Sequence, residues 1–296
     1  MHEKLKDAAI IILAYQLNDK YKYYISYMRK LSTEVTVIDV SRSGKWGNVF
    51  NYAEVTRLCY QIKNRHFHKV FLASIDNKFV HLILSKANFS IINTFDDGTA
   101  NIIRTSSYYL MKKESIKSYL SRVILGISFT KESVISLTKQ HYTIYPNTDN
   151  IIKNTVAISI VNSAQIESAS PEKIIRVFLG QPFEELDISF STIERFIIKN
   201  KIDHYYPHPR ECNIYHSLNY IHSPQIVEEY IISSLEKSSV QFEVYAVMST
   251  SILNIAAWRN PNIKLYTLFN ADLKGRHSGY YEMAEKQMVN LVEIIN

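Results

Sequence analysis

The sequence predicts an α/β protein built from two Rossmann-like domains. Three observations predict it. Short apolar, β-branched runs alternate with amphipathic stretches along most of the chain. The alternation weakens once, over about 150–172, and then restarts. A length of 296 residues suits two domains of roughly 150 residues, each long enough for its own core. Alternation of this kind makes a parallel sheet with helices on both faces.

In the first half the apolar runs place strands at 9–15, 34–40, 68–74 and 89–95, with helices over 20–31, 51–63 and 76–87. The opening run, residues 8–15, reads as a buried first strand. A further helix fits 114–126, and His141-Tyr142-Thr143-Ile144-Tyr145-Pro146 fits a last strand. Small and polar residues then take over: Asn162-Ser163-Ala164 and Ser168-Ala169-Ser170-Pro171 have linker composition. In the second half a strand over 174–179 stops at Gly180-Gln181-Pro182. A helix over 188–200, a strand at 202–206, a helix over 224–236, a strand at 241–247 and a helix over 250–258 follow. A strand at 263–269 and a terminal helix over 280–295 complete the pattern. The domain reading is therefore 1–160, then 173–280, with 281–296 as the terminal helix. Two consecutive Rossmann-like domains match the GT-B plan, in which they face a central cleft. Other two-domain α/β proteins share that plan, so architecture alone does not fix function.

Composition narrows the partners. A net charge of +6 favours anionic ligands such as nucleotide-sugar phosphates, acidic glycans or anionic membrane surfaces. Nucleic acid is disfavoured, because no Lys/Arg stripe with interleaved aromatics and no nucleic-acid-binding motif occurs. Cys59 and Cys212 fit no metal spacing and read as reduced thiols of a cytoplasmic protein. The apolar run 8–15 is far shorter than the roughly 20 residues that span a bilayer. Any membrane contact is thus expected to be peripheral. Tyrosine is abundant, at 21 residues, and combines apolar area with a hydroxyl; this suits a sugar-binding cleft and equally suits cores and surfaces.

Three segments carry candidate chemistry. Asp96-Asp97-Gly98 closes the apolar run 89–95, at the carboxyl end of a strand where α/β proteins place ligands. Taken alone it is an ordinary solvated turn. Read functionally, adjacent carboxylates repel, which raises one pKa and suits a general base. Pro207-His208-Pro209-Arg210 follows the strand at 202–206; the prolines stiffen the backbone around His208, and Arg210 adds charge. The segment is either a rigid surface loop or a donor to a departing phosphate. Ser249-Thr250-Ser251 sits between a strand and a helix, where hydroxyls cap the helix, bind phosphate, or do both. Gly180 would let a ligand approach the backbone closely. Walker A, HExxH, Gly-x-Ser-x-Gly and Asp-x-Asp patterns are all missing from the sequence. A metal is therefore disfavoured, although Asp96-Asp97 could still bind a cation.

Together these segments resemble glycosyltransferase family 52, the group that contains lipooligosaccharide sialyltransferases of Gram-negative bacteria. The resemblance runs from about residue 68 onward. It rests on Val70-Phe71-Leu72-Ala73-Ser74, on Thr94-Phe95-Asp96-Asp97-Gly98-Thr99-Ala100-Asn101-Ile102 and on Ser106-Ser107-Tyr108. It continues through His141-Tyr142-Thr143-Ile144, Leu179-Gly180-Gln181-Pro182, Pro207-His208-Pro209-Arg210 and Ser223-Pro224-Gln225-Ile226-Val227-Glu228-Glu229-Tyr230. In that family the acidic-acidic-Gly, His-Pro and Ser/Thr motifs occur in this order.

The resemblance implies inverting transfer of sialic acid from CMP-sialic acid to a galactose-terminated glycan, without a metal and without another cofactor. It assigns His208 to assisting CMP departure, with Gly180, Gln181, Pro209, Ser249 and Thr250 on the donor and Asp96 and Gly98 on the acceptor side or in a structural role. Two carboxylates compete for the base. Asp97 matches the acidic-acidic-Gly motif. Glu184 is the other candidate, because lipooligosaccharide enzymes carry an acid just after Gly-x-Pro; here Phe183 follows Pro182 and the acids come next, as Glu184 and Glu185. Asp97 ranks first. The resemblance is compatible with a homodimer, and any contact with the inner membrane is expected to be peripheral. A same-fold transferase using another nucleotide sugar and a non-catalytic nucleotide- or glycan-binding module are the alternatives.

Overall fold

The computed structural model describes residues 7–110, 114–161, 173–211 and 214–294. The linker-like stretch 162–172 and Cys212 lie outside the described residues. Contacts divide the chain into two compact units. The first comprises Met1–Asp97, Ser106–Tyr142 and Asn150–Val156. The second comprises Gly98–Thr105, Thr143–Asp149 and Ala157–Asn296. Gly98, directly after the two aspartates, opens a segment of the second unit.

In the first unit β1 (Ala9–Ala14) and β2 (Glu34–Asp39) form a parallel pair, with α1 (Asp19–Leu31) between them in sequence. Asn18 starts α1 by accepting the Tyr21 N–H at 3.1 Å, and Arg29 and Lys30 sit at the negative end of its dipole. The second sheet holds β3 (His66–Leu72), β4 (Asn88–Phe95), β5 (Thr138–Thr143) and β6 (Thr155–Ala157), in that order. The β3–β4 and β4–β5 pairs are parallel. The single sheet expected from the alternation is thus two sheets. Ala14 alone in β1 is buried, because the strand has just one ladder neighbour among the described residues.

Helix α2 (Gly44–Ile62) begins seven residues before the expected start at 51. Its first turns point Trp46, Val49 and Phe50 at solvent, so the core-facing periodicity begins only at Asn51 and Val55. Val55, Leu58, Cys59 and Ile62 then pack with Ile38, Val40 and Leu82. Leu82 belongs to α3 (Lys78–Lys86), which Asn77 caps through the N–H groups of Phe79 and Val80. Cys59 is a free buried thiol whose pKa burial pushes up, which makes it inert packing. Two helices precede β5: α4 (Ile116–Ile124) and α5 (Lys131–Leu137), a short helix held by a Thr130–Ser133 capping box.

The second unit is a five-stranded sheet. Its strands are β7 (Lys173–Leu179), β8 (His204–Tyr206), β9 (Val240–Ala246), β10 (Ile263–Phe269) and β11 (Asn290–Glu293), in the order β11-β10-β9-β7-β8. All four pairs are parallel. The chain between strands forms α6 (Phe190–Lys199), α7 (Val227–Lys237), α8 (Thr250–Ala256), α9 (Ala271–Arg276) and α10 (Ser278–Lys286). Val177, Phe178, Phe242, Val244, Ala246, Ile231, Ile252 and Leu268 are fully buried, as parallel strands covered by helices require. Arg176 and Glu243, opposite one another in the β7–β9 register, pair at 2.8 Å. The helix expected over 280–295 stops at Lys286. Met288 takes a left-handed φ of 60°, and residues 290–293 join the sheet against β10. The short Leu291-Val292 stretch prefers the ladder, and it covers what would be an open strand edge.

Phe242 is fully buried whereas Trp46 is 73% exposed. Phe242→Ala is expected to lower stability by about 3–5 kcal/mol and Trp46→Ala by no more than about 0.5 kcal/mol. Urea unfolding of the two variants checks this.

Candidate active site

Strand order places the site in the second unit. β7 is bonded to β8 on one side and to β9 on the other, so the chain leaves β7 and β9 in opposite directions across the sheet. A crevice opens at such a switch point, beyond the carboxyl ends of the two strands. The Gly180-Gln181-Pro182 turn follows β7, and Met248-Ser249-Thr250 follows β9. The two loops are joined directly: the Met248 N–H donates to Oε1 of the buried Gln181 at 3.2 Å.

Ser249 is fixed through its backbone. Its N–H donates to the Tyr280 hydroxyl at 3.0 Å, and that hydroxyl lies 3.2 Å from the Ser249 carbonyl. Burial pushes the Tyr280 phenol up to about 12, so it stays neutral near pH 7. The Ser249 side chain makes no cap hydrogen bond to α8. Capping, the ordinary job of a serine there, is therefore not what this hydroxyl does. Thr250 is exposed, and its methyl group meets Gly98. Gly98 has φ +60°, and a Cβ on it would lie 2.7 Å from Thr250 Cγ2. Two of the sequence motifs thus touch, and contact as well as conformation requires the glycine.

The third loop follows β8. Residues 208–211 form a tight turn in which the Glu211 N–H donates to the His208 carbonyl at 3.0 Å, with Pro209 at the second position, where a fixed φ fits. The Arg210 N–H donates to His208 Nδ1 at 3.0 Å. A ring nitrogen that accepts a backbone N–H carries no proton, so the neutral His208 ring bears its hydrogen on Nε2. Arg210 forms an ion pair with Glu185 at 3.1 Å. Glu184 is exposed, and its charge, after burial, contributes to raising the pKa of Glu211.

Glu211 and Tyr205 were not legible in advance. The Tyr205 hydroxyl donates to Glu211 Oε1 at 2.5 Å, and the His208 N–H donates to Oε2 at 3.1 Å. The same pair corrects the reading of Gly180. The space that a side chain would occupy there is filled from within: a Cβ would lie 2.5 Å from the Tyr205 hydroxyl and against the Glu211 carboxylate. Gly180 admits these two side chains, whereas close approach of a ligand was expected.

The aspartates occupy the first unit, at the end of β4. Their carboxylates take different partners. Asp96 turns inward to His141 Nε2 at 3.0 Å, and His141 Nδ1 lies 2.8 Å from Thr94 Oγ1. Asp97 is exposed. Its Oδ2 accepts from the Ser74 hydroxyl at 2.9 Å and from the Tyr108 hydroxyl at 3.0 Å. Among the described residues nothing donates to Oδ1. Burial and the Asp97 charge both raise the Tyr108 phenol, which keeps it a donor. The arrangement offers an oriented carboxylate with one open oxygen. Among the described residues no cluster of three or more His, Cys, Asp or Glu side chains has metal-binding geometry, and no helix is long and apolar enough to cross a membrane.

The model of glycosyltransferase family 52 matches residues 6–269. A CMP-N-acetylneuraminate:beta-galactoside alpha-2,3-sialyltransferase of Pasteurella multocida is 33% identical over 245 residues, which is 81% of this chain and 77% of the relative. An N-acetyllactosaminide alpha-2,3-sialyltransferase of Haemophilus influenzae is 28% identical over 83% of this chain and 78% of its own. One of the same description from Neisseria meningitidis is 24% identical over 89% and 72%. With most of its length matched, this chain is a glycosyltransferase and belongs to family 52.

Proposed function

We propose that this protein is an inverting sialyltransferase of the GT-B type, moving sialic acid from CMP-sialic acid to a terminal galactose of a bacterial surface glycan. The observation that carries the reading is the His208 turn. The Arg210 N–H occupies Nδ1, so the ring hydrogen is carried on Nε2, a donor for a phosphate that gains charge as CMP leaves. The kinship to enzymes named for CMP-N-acetylneuraminate supports the choice of donor. In the reaction the bond between the anomeric carbon and the phosphate oxygen breaks, and its electron pair stays on CMP. The galactose hydroxyl attacks the opposite face, and Asp97 Oδ1 takes its proton. Ser249 and Thr250 contribute hydroxyls to the phosphate, while Asp96 holds the end of β4 in place through His141. Asp97 remains ahead of Glu184 as base, because Ser74 and Tyr108 orient it through Oδ2 and leave Oδ1 open.

The reaction is proposed to need no metal, because a single phosphate does not present the paired oxygens that Mg²⁺ bridges in diphosphate donors. A peripheral membrane contact fits the same reading. Helix α4 carries Ile116, Tyr119, Leu120, Val123 and Ile124 on one stripe, and all five are exposed, Ile116 and Ile124 by more than 80%. An apolar stripe on a basic chain suits an anionic lipid surface.

Asp97→Asn and His208→Ala are each expected to lower kcat with CMP-sialic acid and lactose by about 100-fold or more, with CMP affinity held within a few-fold; Glu184→Gln should stay within about threefold. Near-native turnover of Asp97→Asn would remove it as the base. Dialysis against EDTA should leave turnover within about twofold of the untreated enzyme; a loss restored by Mg²⁺ or Mn²⁺ would contradict metal independence. The protein should sediment with phosphatidylglycerol vesicles, and Leu120→Glu with Ile124→Glu should cut the bound fraction about fivefold. Loss of a dimer by light scattering in that variant, with vesicle binding unchanged, would instead assign the stripe to a second copy of the chain.

A further inference from the structure

Glu211 is a half-buried carboxylate that the proposed reaction does not use. Both of its oxygens are engaged by its own surroundings: Tyr205 holds Oε1 and the backbone N–H of His208 holds Oε2. Tyr205 is itself fixed, 1% exposed and stacked on Phe178 with rings 2° from parallel. Gly180 is bare where these two groups sit, so the loops after β7 and β8 are both fitted to this carboxylate. The turn closes on itself, because Glu211 gives its N–H to the His208 carbonyl and takes the His208 N–H on its side chain. Inside that ring the Arg210 N–H reaches His208 Nδ1.

We infer that Glu211 is a positioning residue for His208: its carboxylate locks the 208–211 turn so that the Arg210 N–H fixes the ring with the proton on Nε2, the atom that meets the leaving phosphate. This deepens the sialyltransferase reading and rests on it. Solvation opposes the arrangement, since burial and then the Glu184 charge raise the Glu211 pKa while the Tyr205 and His208 donors lower it. A carboxylate kept charged at such a place needs its two donors. Replacement by glutamine keeps the shape and removes the charge: its NH₂ can turn to the Tyr205 oxygen, but a neutral amide oxygen holds the His208 N–H more weakly than a carboxylate does, so the lock loosens.

The test is a double-mutant cycle together with the state of the ring. Glu211→Gln should lower kcat about tenfold with KM for CMP-sialic acid within about twofold, and in a His208→Ala background the same change should cost less than about twofold. Gly180→Ala, which crowds the same carboxylate, should repeat the pattern. Equal losses in both backgrounds would mean that Glu211 acts independently of His208, and the inference falls. In long-range ¹H–¹⁵N spectra native His208 should show the Nε2–H form and Glu211→Gln a mixture; an unchanged ring overturns the inference whatever the kinetics show. If Glu211→Gln does not fold, Tyr205→Phe takes its place in the cycle, with an expected loss of about threefold that vanishes without His208. Should the native protein prove inert toward CMP-sialic acid, the functional reading fails, and the spectra of the same variants still decide the role of Glu211.

Discussion

Parallel pairing in the second unit is the constraint from which its site follows. When every strand runs the same way, every chain exit of one kind gathers at one edge, and the strand order decides which exits diverge. Here β7 lies between β8 and β9, so the loops that carry Gly180, His208 and Ser249 are neighbours by topology. They are 69 positions apart at the extremes of the sequence. The fully buried runs of Val177, Phe178, Phe242 and Val244 secure that pairing. The polar links between loops, Met248 to Gln181 and His208 to Glu211, add specificity of geometry more than net stability, since each exchanges a hydrogen bond with water for one within the chain.

Charge is divided among the carboxylates by what each one faces. Asp96 has a 9% exposed side chain and meets a buried histidine, so its value lies in joining β4 to β5. Asp97, its neighbour, is exposed and has one oxygen committed and one open. Glu211 has both oxygens committed and none to offer. Glu185 is taken by Arg210, and Glu184 is an exposed charge on the same turn. A base needs orientation as well as access, and Asp97 has both.

Much of this was legible in the sequence, and the failures have physical causes. Strands such as Ile263–Phe269 and helices such as Asp19–Leu31 announce themselves through apolar runs and amphipathic stretches, and both form. The end of the chain misled because residues 280–286 are helical and the following Leu291-Val292 is too short a run to signal a strand by period. The start of α2 misled because its first apolar residues face solvent. For the site, the motif order pointed to Asp97, His208 and Ser249, and the structure gives each a defined set of neighbours. Adjacent carboxylates in sequence suggested a repelling pair, whereas in the structure Asp96 is held by His141 and Asp97 by Ser74 and Tyr108. Gly180 was read as room for a ligand, although its neighbours fill that room. Glu211 and Tyr205 had no local signal at all: one follows an arginine in an ordinary turn, and the other is one of 21 tyrosines.

The His-Pro motif is explained more fully by the turn than by the histidine. Proline at the second position favours the turn, but the turn alone does not set which ring nitrogen is bare. That is set by the Arg210 N–H, a backbone group that any residue at 210 except proline would supply. The arginine side chain instead reaches Glu185, which leads from Pro182 back toward the same edge of the sheet. Backbone therefore fixes the proton, side chains fix the backbone, and the half-buried carboxylate of Glu211 is where the two sets of bonds meet. In the proposed reaction, a histidine held in this way has its donor atom chosen before any ligand arrives, and less reorganisation remains for the moment when charge develops on the leaving group.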